Sequence, residues 1–257
     1  MGSSPELEAS ARPLLCFWEG WGVRGDSSPG QRRDTLGSAS EMGREKSRPG
    51  LAYEHRLWAA GYGRVAGLDE AGRGAWAGPV VAAAVVLPLD DPGLFQHLYG
   101  VRDSKELTAA RPESLLETIC RHAVAWAVGA VPPAEIDELG IVPATQKAMH
   151  LALQALSPPA DFLLIDHLRL PDMALPQTSM PKADARILSV AAASIVAKVS
   201  RDRMMVDLGA RFPGYGFDRH KGYGTAQHRA ALDALGPSAT HRLSFAPVER
   251  VAVRTSG

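Results

Sequence analysis

Cysteine is nearly absent from this chain: Cys16 and Cys120 are the only two in 257 residues. Two thiols cannot supply a disulfide framework, and their separation matches no common zinc spacing, so a reduced, cytoplasmic setting is expected. Long apolar runs are missing as well. No stretch approaches the ~20 continuous apolar residues that span a bilayer, and no basic segment followed by an apolar run opens the chain. A myristoylation signal is lacking too, because Glu6 stands where Ser or Thr is required. Net charge is also absent, with 28 basic side chains cancelling 28 acidic ones, so the overall balance indicates no polyanionic partner.

What is present is an ordinary globular composition, 46% apolar and 22% charged, on a length that suits one sizeable core or two small ones. Residues 1–52 stand apart. They are rich in Gly, Ser, Arg and Glu and include the polar run GDSSPGQRRDTLGSASEMGREKSRPG, so a disordered N-terminal extension is expected there. Within it LLCFWEGW, from Leu14 to Trp21, is a small apolar island that either docks or is incidental. Every recognisable feature follows Met42, which makes Met42 a candidate translation start; peptide mass spectrometry of the native protein distinguishes the two starts.

Residues 53–257 alternate short apolar runs with helical patterns, the texture of a mixed α/β domain. Strands are expected at Arg64 to Asp69, at Val80 to Leu87 (apolar on both faces, hence buried), at Ala123 to Val131 and at Phe162 to Asp166. Helices are expected at Ala109 to His122, after Pro132 and Pro133, at Val142 to Leu156 and at about Leu188 to Leu208, with an irregular stretch from Leu168 to Pro181. A helical C-terminal extension covers about 209–257. Charge is unevenly distributed: from Lys182 to Arg229 nine Lys and Arg face four Asp, a stretch suited to a phosphate backbone or simply to a solvated helix face.

The chemistry concentrates in acids at the ends of elements. Asp69 and Glu70 close the first strand, Asp166 closes the fourth, and Asp184 precedes the long helix. A single strand-end acid is more often a turn or cap residue. Several converging on one sheet end repel one another unless divalent cations neutralise them, and an all-oxygen donor set favours magnesium or manganese over zinc. Two such ions can activate a water and stabilise the leaving oxygen of a phosphodiester. Beside the Asp69-Glu70 pair, Gly72 and Gly74 permit close approach of backbone amides to a ligand, and Arg73 between them adds a charged donor. Neither a dinucleotide fingerprint nor a phosphate loop is present.

Five blocks in this order resemble the ribonuclease HII family: GLDEAGRGAWAGPVVAAAVV (67–86), DSKEL (103–107), LLID (163–166), KADARILSVAAASIVAKVSRDR (182–203) and FPGYGFDRHKGYGT (212–225). The resemblance implies a ribonuclease H-like mixed β-sheet flanked by helices. It implies an endonuclease that cuts RNA in RNA/DNA hybrids and incises 5' of single ribonucleotides in duplex DNA, leaving a 3'-hydroxyl and a 5'-phosphate, with roles in ribonucleotide excision and primer removal. It places the metal ligands, two Mn2+ or Mg2+ ions with substrate bound, on Asp69, Glu70, Asp166 and Asp184. It places ribose recognition on Gly72, Arg73 and Gly74, and junction sensing on Tyr223.

The residues make physical sense of these roles. Backbone groups of a glycine loop can engage a 2'-hydroxyl, which is both donor and acceptor, and a tyrosine face can stack on a sugar. Lys105, Lys182, Lys198 and Lys221 are candidate phosphate contacts, each otherwise a surface charge. Ser194, Lys198 and Arg201 share one side of the long helix and are expected to line the groove. Departures from the family pattern are His167, where a small residue is usual, the long N-terminal segment, and a C-terminus, VERVAVRTSG, without the paired aromatics of a sliding-clamp peptide. A monomer is expected. The alternatives are another ribonuclease H-like nuclease, set apart by DEAGRG and Tyr223, and a catalytically idle hybrid-binding module, for which four acids without metal would be costly.

Overall fold

The computed structural model describes residues 48–98, 100–101 and 111–255. The apolar island, Met42 and DSKEL with its Lys105 lie outside the described residues. Five strands form one mixed sheet: β1 (Val65–Ala71), β2 (Val80–Val86), β3 (Ala125–Val131), β4 (Phe162–Asp166) and β5 (Gln177–Met180), in the order β3-β2-β1-β4-β5. The first three pair antiparallel, whereas β4 runs parallel to β1 and β5 parallel to β4.

Sequence alternation decides what each face meets. Ala66 and Leu68 of β1 join Ala82 and Ala84 of β2 against Ala144, Ala148 and Met149 of helix α5 (Ile141–Ala155). Ala83 and Val85 of β2 pack instead against Leu188, Ala192 and Val196 of helix α6 (Leu188–Arg211). Every residue of β2 is buried, as its unbroken apolar run requires of a central strand covered on both faces. The small residues of α6 let it lie close to the sheet: a Cβ on Gly67 would stand 2.2 Å from the Ser189 carbonyl carbon. Burial of each Val or Leu here contributes about 1.5–3 kcal/mol.

The remaining helices frame this sandwich. They are α1 (Ala52–Ala59), α2 (Leu94–His97), α3 (Arg111–His122), α4 (Pro133–Leu139), and, after α6, α7 (Phe217–His220), α8 (Ala226–Leu235) and α9 (Ala246–Thr255). Helices α1 and α2 and strand β5 were not expected from sequence. Helix α1 packs Tyr53, Leu57 and Trp58 against Val65, Phe162 and Val190, and its buried Glu54 accepts the Ser189 N–H at 2.9 Å in the first turn of α6. Strand β5, QTSM, falls in the stretch read as irregular. It is an edge strand of polar residues, recognisable only from its pairing with β4 and not from any apolar alternation.

Candidate metal centre and substrate-facing loops

Strand register brings the acids together. Leu68 lies beside Ile165 in the parallel β1–β4 pair, so the next residues, Asp69 and Asp166, follow side by side at a strand spacing of about 5 Å. Both share the parity of Gly67 and Leu164 and therefore look toward α6. Asp166 Oδ1 accepts the Ala183 N–H at 2.6 Å, fastening the 3-10 turn Ala183–Ala185 that carries Asp184. A chain segment seventeen residues on is thus anchored to the end of β4 by one of the acids themselves.

The electrostatics of this cluster suit a cation. Burial pushes the Asp69 carboxyl up to about 8, and the charges of Glu70 and Asp166 add to that rise, while the Ser194 hydroxyl, donating to Asp69, opposes it. Glu70 is also raised, first by burial, although Arg73 donates to its Oε1 at 3.0 Å. The other oxygen, Oε2, is buried and has no hydrogen-bond partner. An orphaned carboxylate oxygen beside two further carboxylates fits a hard divalent cation, which would satisfy the oxygen and favour the ionised forms. His167, at positive φ of 56° and exposed, stands near enough to lower the Glu70 value, so the residue that departs from the family pattern borders the cluster.

The glycine loop follows directly. Gly72 has φ of 88°, and a Cβ there would lie 1.9 Å from Arg201 Nε, so glycine is required both for conformation and for packing. Gly74 has nothing within 4 Å of its Cβ position and is exposed, leaving that side of the loop open. Arg201, expected in the groove, is instead buried at 1% exposure: its Nε donates to the Pro79 carbonyl at 2.9 Å and its Nη2 to Ala77 at 3.1 Å. Its position on α6 points it into the loop after β1, where unpaired carbonyls collect a cation more strongly than water does. Arg242, fully buried, completes the clamp, donating from Nε and Nη2 to the Gly78 carbonyl and from Nη1 to that of Arg73.

The same framework carries Tyr223. The Trp76 N–H donates to the Gly222 carbonyl at 2.8 Å, tying the glycine loop to the HKGYGT loop. Tyr223 is 42% exposed, with the Arg201 guanidinium carbon 5.3 Å from its ring centroid. Beneath it, three histidines are fixed as neutral tautomers by their partners. His220 Nε2 donates to the Tyr215 carbonyl at 2.8 Å and its Nδ1 accepts from the Gly222 N–H. His228 Nδ1 donates to the Tyr223 carbonyl at 3.0 Å, so its Nε2 accepts from His241 Nε2 at 3.1 Å, and His241 Nδ1 accepts from the Ser238 N–H. Burial lowers both His228 and His241, the latter to about 4. These histidines, Arg242 and Trp76 were not singled out from sequence, where a buried satisfied His or Arg looks like a catalytic or phosphate-binding one.

The candidate lysines are scattered. Lys182 is exposed at φ of 59° immediately before the Asp184 turn. Lys198 is exposed and paired with Asp202 at 2.6 Å. Lys221 donates to the Asp218 carbonyl and, with Lys198, lines a groove between α3, α6 and the HKGYGT loop. Among the described residues no helix is long and apolar enough to cross a membrane.

Comparison with known proteins agrees with this geometry. The ribonuclease HII family model matches residues 66–248, a span containing all four acids, the glycine loop and Tyr223. The ribonuclease HII of Roseiflexus castenholzii is 55% identical over 202 residues, covering 79% of this chain and 90% of its own. That of Chloroflexus aurantiacus is 53% identical over 203 residues, covering 78% and 94%. Among solved structures, ribonuclease H2 from Pyrococcus horikoshii superposes with a TM-score of 0.64 at 26% identity, over 75% of this chain and 99% of that one. The RNase HII of Archaeoglobus fulgidus, solved with PCNA, gives 0.59 at 29% identity, over 71% and 95%. A mixed sheet with acids at adjacent strand ends, matched by relatives at this identity over most of their length, makes the chain a member of the ribonuclease HII family and hence a ribonuclease H, an endonuclease acting on RNA/DNA hybrids.

Proposed function

We propose that this enzyme cuts 5' of single ribonucleotides embedded in duplex DNA as well as the RNA strand of longer hybrids, leaving a 3'-hydroxyl and a 5'-phosphate, and serves ribonucleotide excision and primer removal. The observation that carries the reading is the bridge between the acid cluster and Tyr223: the glycine loop adjoins Asp69 and Glu70 and is hydrogen-bonded through Trp76 to Gly222. A ribose recognised by the first loop and the next deoxyribose stacked on the second would leave the phosphate on the 5' side of that ribose at the acids.

In this reading Asp69, Glu70, Asp166 and Asp184 hold Mn2+ or Mg2+, two ions with substrate bound. Such ions supply an activated water and stabilise the leaving oxygen of the phosphodiester. The protein does the rest. Ser194 orients the Asp69 carboxylate. Arg73 fixes one oxygen of Glu70 and leaves the other for a cation. Open backbone at Gly74 offers donors and acceptors to the 2'-hydroxyl, discriminating ribose from deoxyribose. Lys182, Lys198 and Lys221 meet the phosphate backbone, with Lys105 as a further contact, so affinity falls with salt. The enzyme acts as a monomer in the cytoplasm. Its C-terminal helix α9 buries Val248 and Val251 against Leu232 and carries no paired aromatics for a clamp.

The test is cleavage of matched duplexes, all-DNA, RNA/DNA and DNA with one ribonucleotide, each with magnesium, manganese or chelator. Expected are incision on the 5' side of the lone ribonucleotide, cutting of the hybrid, no cutting of DNA, and no activity with chelator. Equal cutting of the all-DNA duplex would overturn the assignment.

A further inference from the structure

A second cluster of metal-ligating side chains lies at the other end of the sheet. Asp91 follows β2, His97 ends α2 and His122 ends α3. Because β2 runs antiparallel to β1, with Val86 beside Ala66 and Ala82 beside Glu70, the carboxyl end of β2 is the edge away from the acids. Three residues of strand, ~10 Å, separate the Ala66 level from Asp69, and the cluster lies beyond that.

The three side chains converge without bonding one another. His97 Nδ1 lies 3.7 Å and His122 Nδ1 3.8 Å from the same oxygen, Asp91 Oδ2, too long for hydrogen bonds. One ligand atom from each residue falls within 4.8 Å of the others. The arrangement is held from outside. Asp91 Oδ1 accepts the Gly93 N–H at 2.8 Å, which leaves Oδ2 to face the imidazoles. The imidazoles stack at 4.2 Å between centroids, inclined by 23°. Gly93 makes room for the first of them, since a Cβ there would be 2.8 Å from His97 Cε1. Burial and the neighbouring His97 lower the His122 value, against the opposing charge of Asp91, a direction that favours the neutral ring a metal requires.

From this convergence we infer that Asp91, His97 and His122 form a binding site for a zinc-class divalent cation, with the fourth coordination position open to water. Two imidazoles and a carboxylate are a borderline donor set that suits zinc and is unlike the all-carboxylate cluster, which suits magnesium or manganese. Tetrahedral bonds of ~2.0–2.1 Å set ligand atoms ~3.4 Å apart, so the two oxygen-to-nitrogen spacings of 3.7 and 3.8 Å need to contract by only a few tenths of an ångström, and the imidazole pair by no more than about 1.4 Å. Bound there, the cation joins the connection after β2 to the carboxyl ends of α2 and α3. Its role is that of a clip holding these two helices together, independent of the reaction at the acids.

Chelator-stripped wild type, His97→Ala and His122→Ala are titrated with Zn2+ by calorimetry and with Co2+ by visible absorption, with circular dichroism confirming the fold. Wild type should bind one more equivalent of Zn2+ than either variant. Its Co2+ complex should show the intense bands of tetrahedral coordination, which both variants lose. Asp91→Asn, which retains the acceptor for Gly93, should weaken Zn2+ binding at least ~10-fold. Hybrid cleavage with Mg2+ should be unchanged in all three variants. Equal Zn2+ stoichiometry and identical Co2+ spectra in wild type and both histidine variants would overturn the site.

Discussion

The acid cluster and the loop framework beside it solve the problem of buried polar groups in opposite ways. Around Tyr223, the imidazoles of His220, His228 and His241 and the guanidinium groups of Arg201 and Arg242 meet partners of the right polarity within 3.2 Å. At the strand ends, Asp69 is pushed up to about 8 by burial and Glu70 Oε2 has no partner. A saturated network fixes geometry, whereas an unsaturated one awaits a ligand. The difference separates residues whose partners are all within the protein from residues able to take an external one, as the proposed function requires of the acids.

The largest effect should come from the unsaturated side. Asp69→Asn keeps the shape of the side chain and removes its charge, so cleavage should fall at least ~10²-fold, the scale of losing one preorganised electrostatic contact, while hybrid binding persists. Single-turnover cleavage beside a filter-binding assay measures both. The same variant has a signature in stability. A carboxyl raised from 3.8 to about 8 keeps its proton in the folded state while the unfolded chain releases it. Metal-free wild type therefore loses stability as pH rises from about 4 to about 8, and Asp69→Asn should lack that component of the loss. Parallel pH profiles of the two metal-free proteins would show the acid cluster to be as relaxed as its neighbour.

On the saturated side, Arg242→Met should act on the fold first. It leaves the carbonyls of Arg73 and Gly78 without their donors in a buried setting, at a cost of about 2–5 kcal/mol. Denaturant unfolding reads that loss. A melting point within a degree of wild type would mean that the clamp is dispensable and that Arg242 serves substrate instead.

These two regions also differed in how far the sequence disclosed them. The acids were legible because strand ends punctuate the chain: LDE and LLID each end an apolar run on a carboxylate, and parallel pairing of those runs then aligns Asp69 with Asp166. The buried role of Arg201 was not legible, since Ser194, Lys198 and Arg201 repeat on one helix side and only the path of the loop after β1 decides that Arg201 meets carbonyls and not solvent. Glu54 capping the first turn of α6 joins positions 135 residues apart, which no local pattern encodes. Strand β5 was hidden because a four-residue polar edge has no alternation to read.

Tyr223 belongs to the saturated framework by its backbone and presents an exposed ring, so its removal tests the substrate role proposed for it. Tyr223→Ala should cost about 1–3 kcal/mol of stacking, roughly 10-fold, on DNA with a single ribonucleotide and less on a long hybrid, where many registers are equivalent. A uniform loss on both substrates, with a lowered melting point, would place the ring in the scaffold.

The smallest effect expected is titration of the scaffold itself. His241 is neutral in the fold, its value depressed from 6.5 to about 4 by burial and by His228, so the folded state binds fewer protons than the unfolded chain between those values. Stability from this group is therefore complete above about pH 6.5 and is lost as pH falls toward 4. The proton enters at His241 Nδ1, which can then no longer accept the Ser238 N–H, while Nε2 goes on donating to His228. Melting of the Asp69→Asn variant should drop by several degrees as pH falls over that interval, at ~2–4 °C per kcal/mol, and adding His241→Asn should reduce the slope. Because the Asp69 component changes in the opposite direction over the same interval, the comparison is best made in an Asp69→Asn background. There the acid cluster contributes one titrating carboxylate fewer, and the histidine component stands out more clearly.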